Sequence, residues 1–139
     1  MTDRQTERKP YVVVVDDTAS IVQLITRLLE RQGFYVEGAH SGAEAMAMVR
    51  ERRPDLVLLD VVMPDMTGLE VCAALKSNRW TAPIPVIFLT GKTETEDVVR
   101  GFRAGGVDYI TKPFHAEELV ARDRKSTRLN SRHGKLPRM

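Results

Sequence analysis

The sequence predicts an α/β fold, a doubly wound five-stranded parallel sheet with helices on both faces. Three observations carry that expectation. Short apolar runs alternate with helix-period stretches along most of the 139 residues, the pattern of a parallel sheet built from strand–helix units. The runs are almost continuously apolar, as strands buried on both faces require. Where they stop stand Asp16 and Asp17, Asp60, Thr90 and Lys112. In such sheets ligands bind beyond the carboxyl ends of the strands.

Tyr11–Val15 is a largely β-branched run and the first strand. From Thr18 the period changes. Ile21, Leu24, Ile25, Leu28 and Leu29 form an apolar helix stripe, and Gly33 follows as its C′ stop. Tyr35–Ala39 is a short, weaker strand. Ser41-Gly42-Ala43-Glu44 reads as a capping box. It opens a helix carrying Ala45, Met46, Met48 and Val49, which Pro54 prevents from continuing. Leu56–Leu59 is the third strand, ending in Asp60. Met63-Pro64, Asp65 and Gly68 make a loop, and Leu69–Lys76 the third helix. Pro83 and Pro85 precede the strand Val86–Leu89. Thr93-x-x-Glu96 caps a fourth helix with Val98, Val99 and Phe102 on one side, ended by Gly105-Gly106. Val107–Thr111 is the fifth strand. Lys112-Pro113 follows it, and a last helix begins near His115.

The length suits one domain. An apolar fraction of 42% and a charged fraction of 29% are those of a soluble globular protein. The single cysteine, Cys72, excludes an internal disulfide and lies among Leu69, Val71 and Leu75, where a buried, inert thiol is expected. No apolar run approaches the roughly 18 residues of a membrane span, and the polar Met1–Lys9 stretch has no secretory h-region. A cytoplasmic protein is the expectation. The net charge of +2 divides unevenly: the residues from Asp123 onward carry +5, and residues 1–122 carry −3. A nucleic-acid role would therefore rest on the tail alone.

Folding would gather three carboxylates, a hydroxyl and an ammonium at one edge of the sheet. Like-charged carboxylates repel unless a cation sits among them. Mg²⁺ suits an all-oxygen set and keeps several waters. Asp17 and Asp60 would supply carboxylate oxygens, Asp16 would act directly or through water, and the Val62 carbonyl would be a further ligand. Asp60 could then serve as nucleophile toward a phosphoryl group. Lys112 would pair with Asp60 and afterwards with a phosphoryl oxygen, while the Thr90 hydroxyl donates to that oxygen beside the unobstructive Gly91. Such chemistry is mostly positioning and charge stabilisation. Plainer readings exist for each piece. An Asp pair can cap the next helix, Lys-Pro can be a turn, and Tyr109 can be core or edge packing. Their joint occurrence at four strand ends favours a site. No G-x-x-x-x-G-K loop is present, so nucleotide hydrolysis has no support.

Val14-Val15-Asp16-Asp17, Leu58-Leu59-Asp60-Val61-Val62-Met63-Pro64 with Gly68, Leu89-Thr90-Gly91, and Asp108-Tyr109-Ile110-Thr111-Lys112-Pro113-Phe114 together resemble a response-regulator receiver domain of two-component signalling, over about Tyr11–Arg122. The resemblance implies a flavodoxin-like (βα)₅ sheet of strand order 2-1-3-4-5. It implies that Asp60 is the phosphoacceptor, Asp16 and Asp17 the acidic pair for Mg²⁺, and Thr90 with Tyr109 the switch pair. It also implies a cis Lys112–Pro113 bond. The donor would be a phosphohistidine on a sensor histidine kinase or a histidine phosphotransfer protein. The output, a domain or a partner protein, would respond to the face formed by the fourth helix, fifth strand and fifth helix, which could also support a homodimer. Such a domain catalyses its own phosphorylation and dephosphorylation and is no enzyme for a free substrate. An aspartyl-phosphate hydrolase would favour a second Asp where Val62 stands. A phosphorylation-independent interaction module on the same fold is the other alternative.

The last helix departs from that pattern. After Leu119 and Val120 come Asp123, Arg124, Lys125, Ser126 and Thr127, through which an apolar stripe cannot continue. The string Asp123–His133 resembles the translation of a sequencing adapter. The expected organisation is a disordered arm over 1–10, a receiver domain over 11–122, and a non-native or linker-like basic tail over 123–139.

Overall fold

A computed structural model describes residues 9–90, 105 and 108–111, with the backbone alone at Thr90, Asp108 and Thr111. In chain order these form β1 (Tyr11–Val15), α1 (Ala19–Arg31), β2 (Tyr35–Ala39), α2 (Gly42–Glu51), β3 (Leu56–Asp60), α3 (Gly68–Lys76), β4 (Val86–Thr90) and β5 (Asp108–Thr111). The expected fourth and fifth helices, the Lys112–Pro113 bond, residues 1–8 and the basic tail lie outside the described residues.

The strands make one sheet of order β2-β1-β3-β4-β5, and each neighbouring pair is parallel. This is the predicted order. Strand side chains alternate between faces, and the sheet divides its core accordingly. Val13, Val15, Val57, Leu59, Val86 and Phe88 pack with Ala45 and Val49 of α2 and with Val71, Cys72 and Leu75 of α3. Val12, Val14, Leu56, Leu58, Ile87, Leu89 and Ile110 pack with Val22, Ile25 and Leu29 of α1. Burial pushes the Cys72 thiol up to about 11, so it is the inert core cysteine expected.

The buried line of α1 is Val22, Ile25 and Leu29, whereas Leu24 of the predicted stripe is 45% exposed. At 100° per residue Leu24 lies about 200° from Val22, on the opposite side of the helix. The end of α1 is a Schellman turn: Phe34 N–H donates to Leu29 and Gly33 N–H to Glu30, with Gly33 at φ +94° as the left-handed residue that this turn needs. At α2 the Ser41 hydroxyl accepts from Glu44 N–H, but the Glu44 carboxylate accepts from His40 N–H instead of Ser41. The predicted box is thus half formed. A complete reciprocal box opens α3 instead, between Thr67 and Glu70.

Two fastenings hold the sheet away from its carboxyl edge. Tyr11 N–H donates to the Asp55 carboxylate at 2.8 Å while Asp55 N–H donates to the Tyr11 carbonyl at 2.7 Å, a clasp joining the starts of β1 and β3. On edge strand β2, Glu37 accepts from the Tyr11 and Tyr35 hydroxyls at 2.6 and 2.8 Å. The Arg52 guanidinium lies 4.3 Å from the centroid of the Tyr11 ring. Among the described residues no helix is long and apolar enough to cross a membrane.

Candidate functional site

The site is built at the carboxyl ends of the two central strands. Val15 and Leu59 are register partners, so the next residues, Asp16 and Asp60, leave β1 and β3 side by side. Backbone bonds carry the ladder past both strands: Asp16 N–H donates to Ala39 at 3.1 Å and Val61 N–H to Leu89 at 3.3 Å. The carboxyl groups are therefore delivered by backbone that the sheet holds in place. Asp16, Asp17 and Asp60 each offer an oxygen, and these oxygens all lie within 4.8 Å of one another.

Asp16 is fully buried and Asp60 is 6% exposed, while Asp17 is exposed. Two buried unit charges at such a separation repel by about 3–4 kcal/mol at an effective dielectric constant of about 20. A cation among them offsets that repulsion. Three carboxylates are a hard, all-oxygen donor set, and the residues fit Mg²⁺. Asp16 also has a local task, since one of its oxygens accepts from Thr18 N–H at 2.9 Å. Thr18 itself is the N-cap of α1 and makes no side-chain cap bond. The carboxylate thus orders the turn into the helix while facing the acidic cluster, so its hydrogen bond to the turn leaves a ligand role open to it.

The loop after Asp60 carries Val62, whose side chain is 57% exposed between the buried Val61 and Met63. Gly68 closes this loop, donating its N–H to the Val61 carbonyl at 2.8 Å. A Cβ on Gly68 would stand 2.2 Å from the Asp60 carbonyl oxygen and 2.9 Å from Val61 Cα. Only glycine lets α3 start this close to the end of β3.

Thr90 ends β4 in register with Thr111 of β5, so it shares the carboxyl edge with Asp60. Lys112, the next residue after Thr111, lies outside the described residues. Tyr109 is paired in register with Phe88 and its side chain is 38% exposed, on the surface side of β5 rather than in the core. Sequence reasoning missed the α3 cap, although the T-x-x-E signal was present at Thr67–Glu70. It gave Asp65 no part beyond making a loop, and placed Gly68 in the resembling signature without a structural reason.

A five-stranded parallel sheet of order 2-1-3-4-5 with three acids at its central carboxyl edge is the architecture of a receiver-type domain. The model of the response regulator receiver domain family matches residues 12–124. The chain belongs to that family. It is 45% identical over 119 residues to the DNA-binding response regulator MtrA of Mycolicibacterium paratuberculosis, a match covering 86% of this chain and 52% of MtrA. Among solved structures it is similar to the chemotaxis protein CheY4 of Vibrio cholerae, with 33% identity and a TM-score of 0.82 over 86% of this chain and 99% of that one. The receiver domain of NtrX from Brucella abortus is also similar, with 28% identity, a TM-score of 0.80, and coverage of 84% and 98%. The chain spans about half the length of the curated relatives it matches.

Proposed function

We propose that this chain is the phosphoacceptor module of a two-component phosphorelay, and that Asp60 accepts the phosphoryl group. The observation that carries the reading is the convergence of Asp16, Asp17 and Asp60 within 4.8 Å at the carboxyl edge of the central strands. In the reaction an Asp60 carboxylate oxygen bonds to phosphorus as the bond from phosphorus to the donor's imidazole nitrogen breaks. The electron pair leaves with that nitrogen, which is reprotonated. The donor class is a phosphohistidine on a sensor histidine kinase or phosphotransfer protein, which family membership supports.

Asp16, Asp17, Asp60 and the Val62 carbonyl would hold Mg²⁺, whose bound charge would offset that of the phosphoryl oxygens. Asp16, anchored through Thr18, keeps its carboxylate toward the cluster. Lys112 would pair with the phosphoryl group, and the Thr90 hydroxyl would donate to it. Tyr109 would leave its partly exposed position as Thr90 engages, which transmits the state of Asp60 to the β5 face and to an output segment or partner in the cytoplasm. The DNA-binding response regulators that it resembles are about twice the matched length, which supports an output carried outside the receiver unit. Residues 123–139 are read as foreign to that unit, and sequencing the source locus through Leu136 checks this.

The deciding experiment is intact mass after incubation with acetyl phosphate, with and without Mg²⁺. One Mg²⁺-dependent phosphoryl increment is expected on this chain and none on Asp60→Asn. A folded chain that takes no increment would instead be a phosphorylation-independent interaction module.

A further inference from the structure

The Val62 carbonyl is a candidate metal ligand on a loop, and a loop carbonyl is only as well placed as the loop itself. Val61 and Met63 are buried and fix the stem of this loop, and the Gly68–Val61 hydrogen bond closes its base. Its outer part is held from another element. The two carboxylate oxygens of Asp65 accept from the backbone N–H groups of Gly42 and Ala43, each at 3.1 Å. These are the first residues of α2, whose N–H groups have no partner within the helix and whose end carries the positive pole of the helix dipole.

Gly42 is also where the loop and the helix touch. A Cβ there would stand 2.8 Å from Met66 Cβ and 3.0 Å from Val71 Cγ2. The hydrogen bonds from Gly42 and Ala43 hold the Asp65 carboxyl below the usual carboxylate range, so the clamp is charged at neutral pH. The Ser41 hydroxyl caps a different N–H of the same helix, that of Glu44. Asp65 is thus the loop residue that reaches across to that helix start.

We propose that Asp65 is a positioning residue for the metal site: by clamping the 61–68 loop to the N-terminus of α2 it sets the place of the Val62 carbonyl beside Asp60. The proposal rests on the metal-binding reading above and assigns α2, a helix that contributes no candidate ligand, a share in metal affinity. Supporting groups of this kind typically change metal affinity by about tenfold or more when removed.

Isothermal titration of the unphosphorylated full chain with MgCl₂ tests it, using Asp65→Ala, Asp65→Asn and Ser41→Ala, each checked for folding by its thermal midpoint. Asp65→Ala should weaken Mg²⁺ binding about tenfold. Asp65→Asn, which keeps one acceptor oxygen, should weaken it less. Ser41→Ala loosens the same helix end without touching the loop and should leave affinity unchanged. Unchanged affinity in Asp65→Ala, or equal weakening in Ser41→Ala, would overturn the proposal while leaving the metal site intact. If Asp65→Ala does not fold, Asp65→Asn decides by the same comparison. A folded wild-type chain that binds no Mg²⁺ would overturn the metal-site reading and the proposal with it.

Discussion

Asp60 is positioned by backbone on both sides, and Gly68 shows how little room that leaves. The atoms that a Gly68 methyl would meet are the Asp60 carbonyl oxygen and Val61 Cα, backbone that cannot swing aside as a side chain could. Gly68→Ala should therefore cost about 1–3 kcal/mol, as overpacking typically does, measured by urea denaturation. Because the displaced backbone is that of Asp60, the proposed phosphoacceptor, phosphoryl uptake from acetyl phosphate should slow even under conditions where the variant is fully folded. A slowed reaction with normal stability would place the effect at Asp60 itself; normal values of both would show that α3 can retreat without consequence. Asp16, Asp17 and Asp60, which the fold brings together, were legible in the sequence as candidates because they stand where apolar runs stop; Lys112 lies outside the described residues. The roles of Gly68 and Asp65 were not legible, since one acts through a missing Cβ and the other reaches a helix start 22 and 23 residues away in the sequence.

At the scale of elements, β2 is an edge strand, with one neighbour and only Val36 and Ala39 buried along it. Beyond the backbone ladder to β1, it is fastened by Glu37, which gathers the hydroxyls of Tyr11 and Tyr35 beside Arg52. The Tyr11 hydroxyl, then that of Tyr35, lowers the Glu37 pKa. A carboxyl whose pKa is lower folded than unfolded stabilises at pH above its unfolded value and loses that contribution as pH falls through its folded value. Glu37→Gln should therefore cost about 1–2 kcal/mol near pH 7, with the difference from wild type shrinking below the usual carboxylate range. Paired urea titrations at neutral and acid pH check this. Element type and order were readable from periodicity, but caps and faces were less so. Ser41 and Thr67 each precede a Glu by three, and only folding shows that Glu44 turns to His40 while Glu70 closes its box. Leu24 shows likewise that a stripe has flanks, and that the sheet chooses which flank to bury.

For the whole molecule, the near-continuous apolar strands left little choice but a sheet covered on both faces, which is why the fold was the most legible feature. The same sheet concentrates three carboxylates at one edge, and a metal bound there would be linked to stability. A ligand that binds only the folded state stabilises it by about 2.7 kcal/mol at a hundred times its dissociation constant. Mg²⁺ should accordingly raise the thermal midpoint in a concentration-dependent way, and Asp17→Asn should blunt the rise. A midpoint insensitive to Mg²⁺ would show that the three carboxylates tolerate one another without a cation.

The clasp between Tyr11 and Asp55 bears on that edge from a distance. It sits at the opposite end of the β1–β3 pair, about 16–17 Å away at roughly 3.3 Å per residue. A slip of one residue between these strands would send their side chains to the wrong faces and set Asp17, not Asp16, beside Asp60. The clasp works as an alignment pin: by fixing where the two strands begin, it fixes which acids stand together where they end. The spacing of the acidic cluster is thus held in part by a carboxylate that never comes near it.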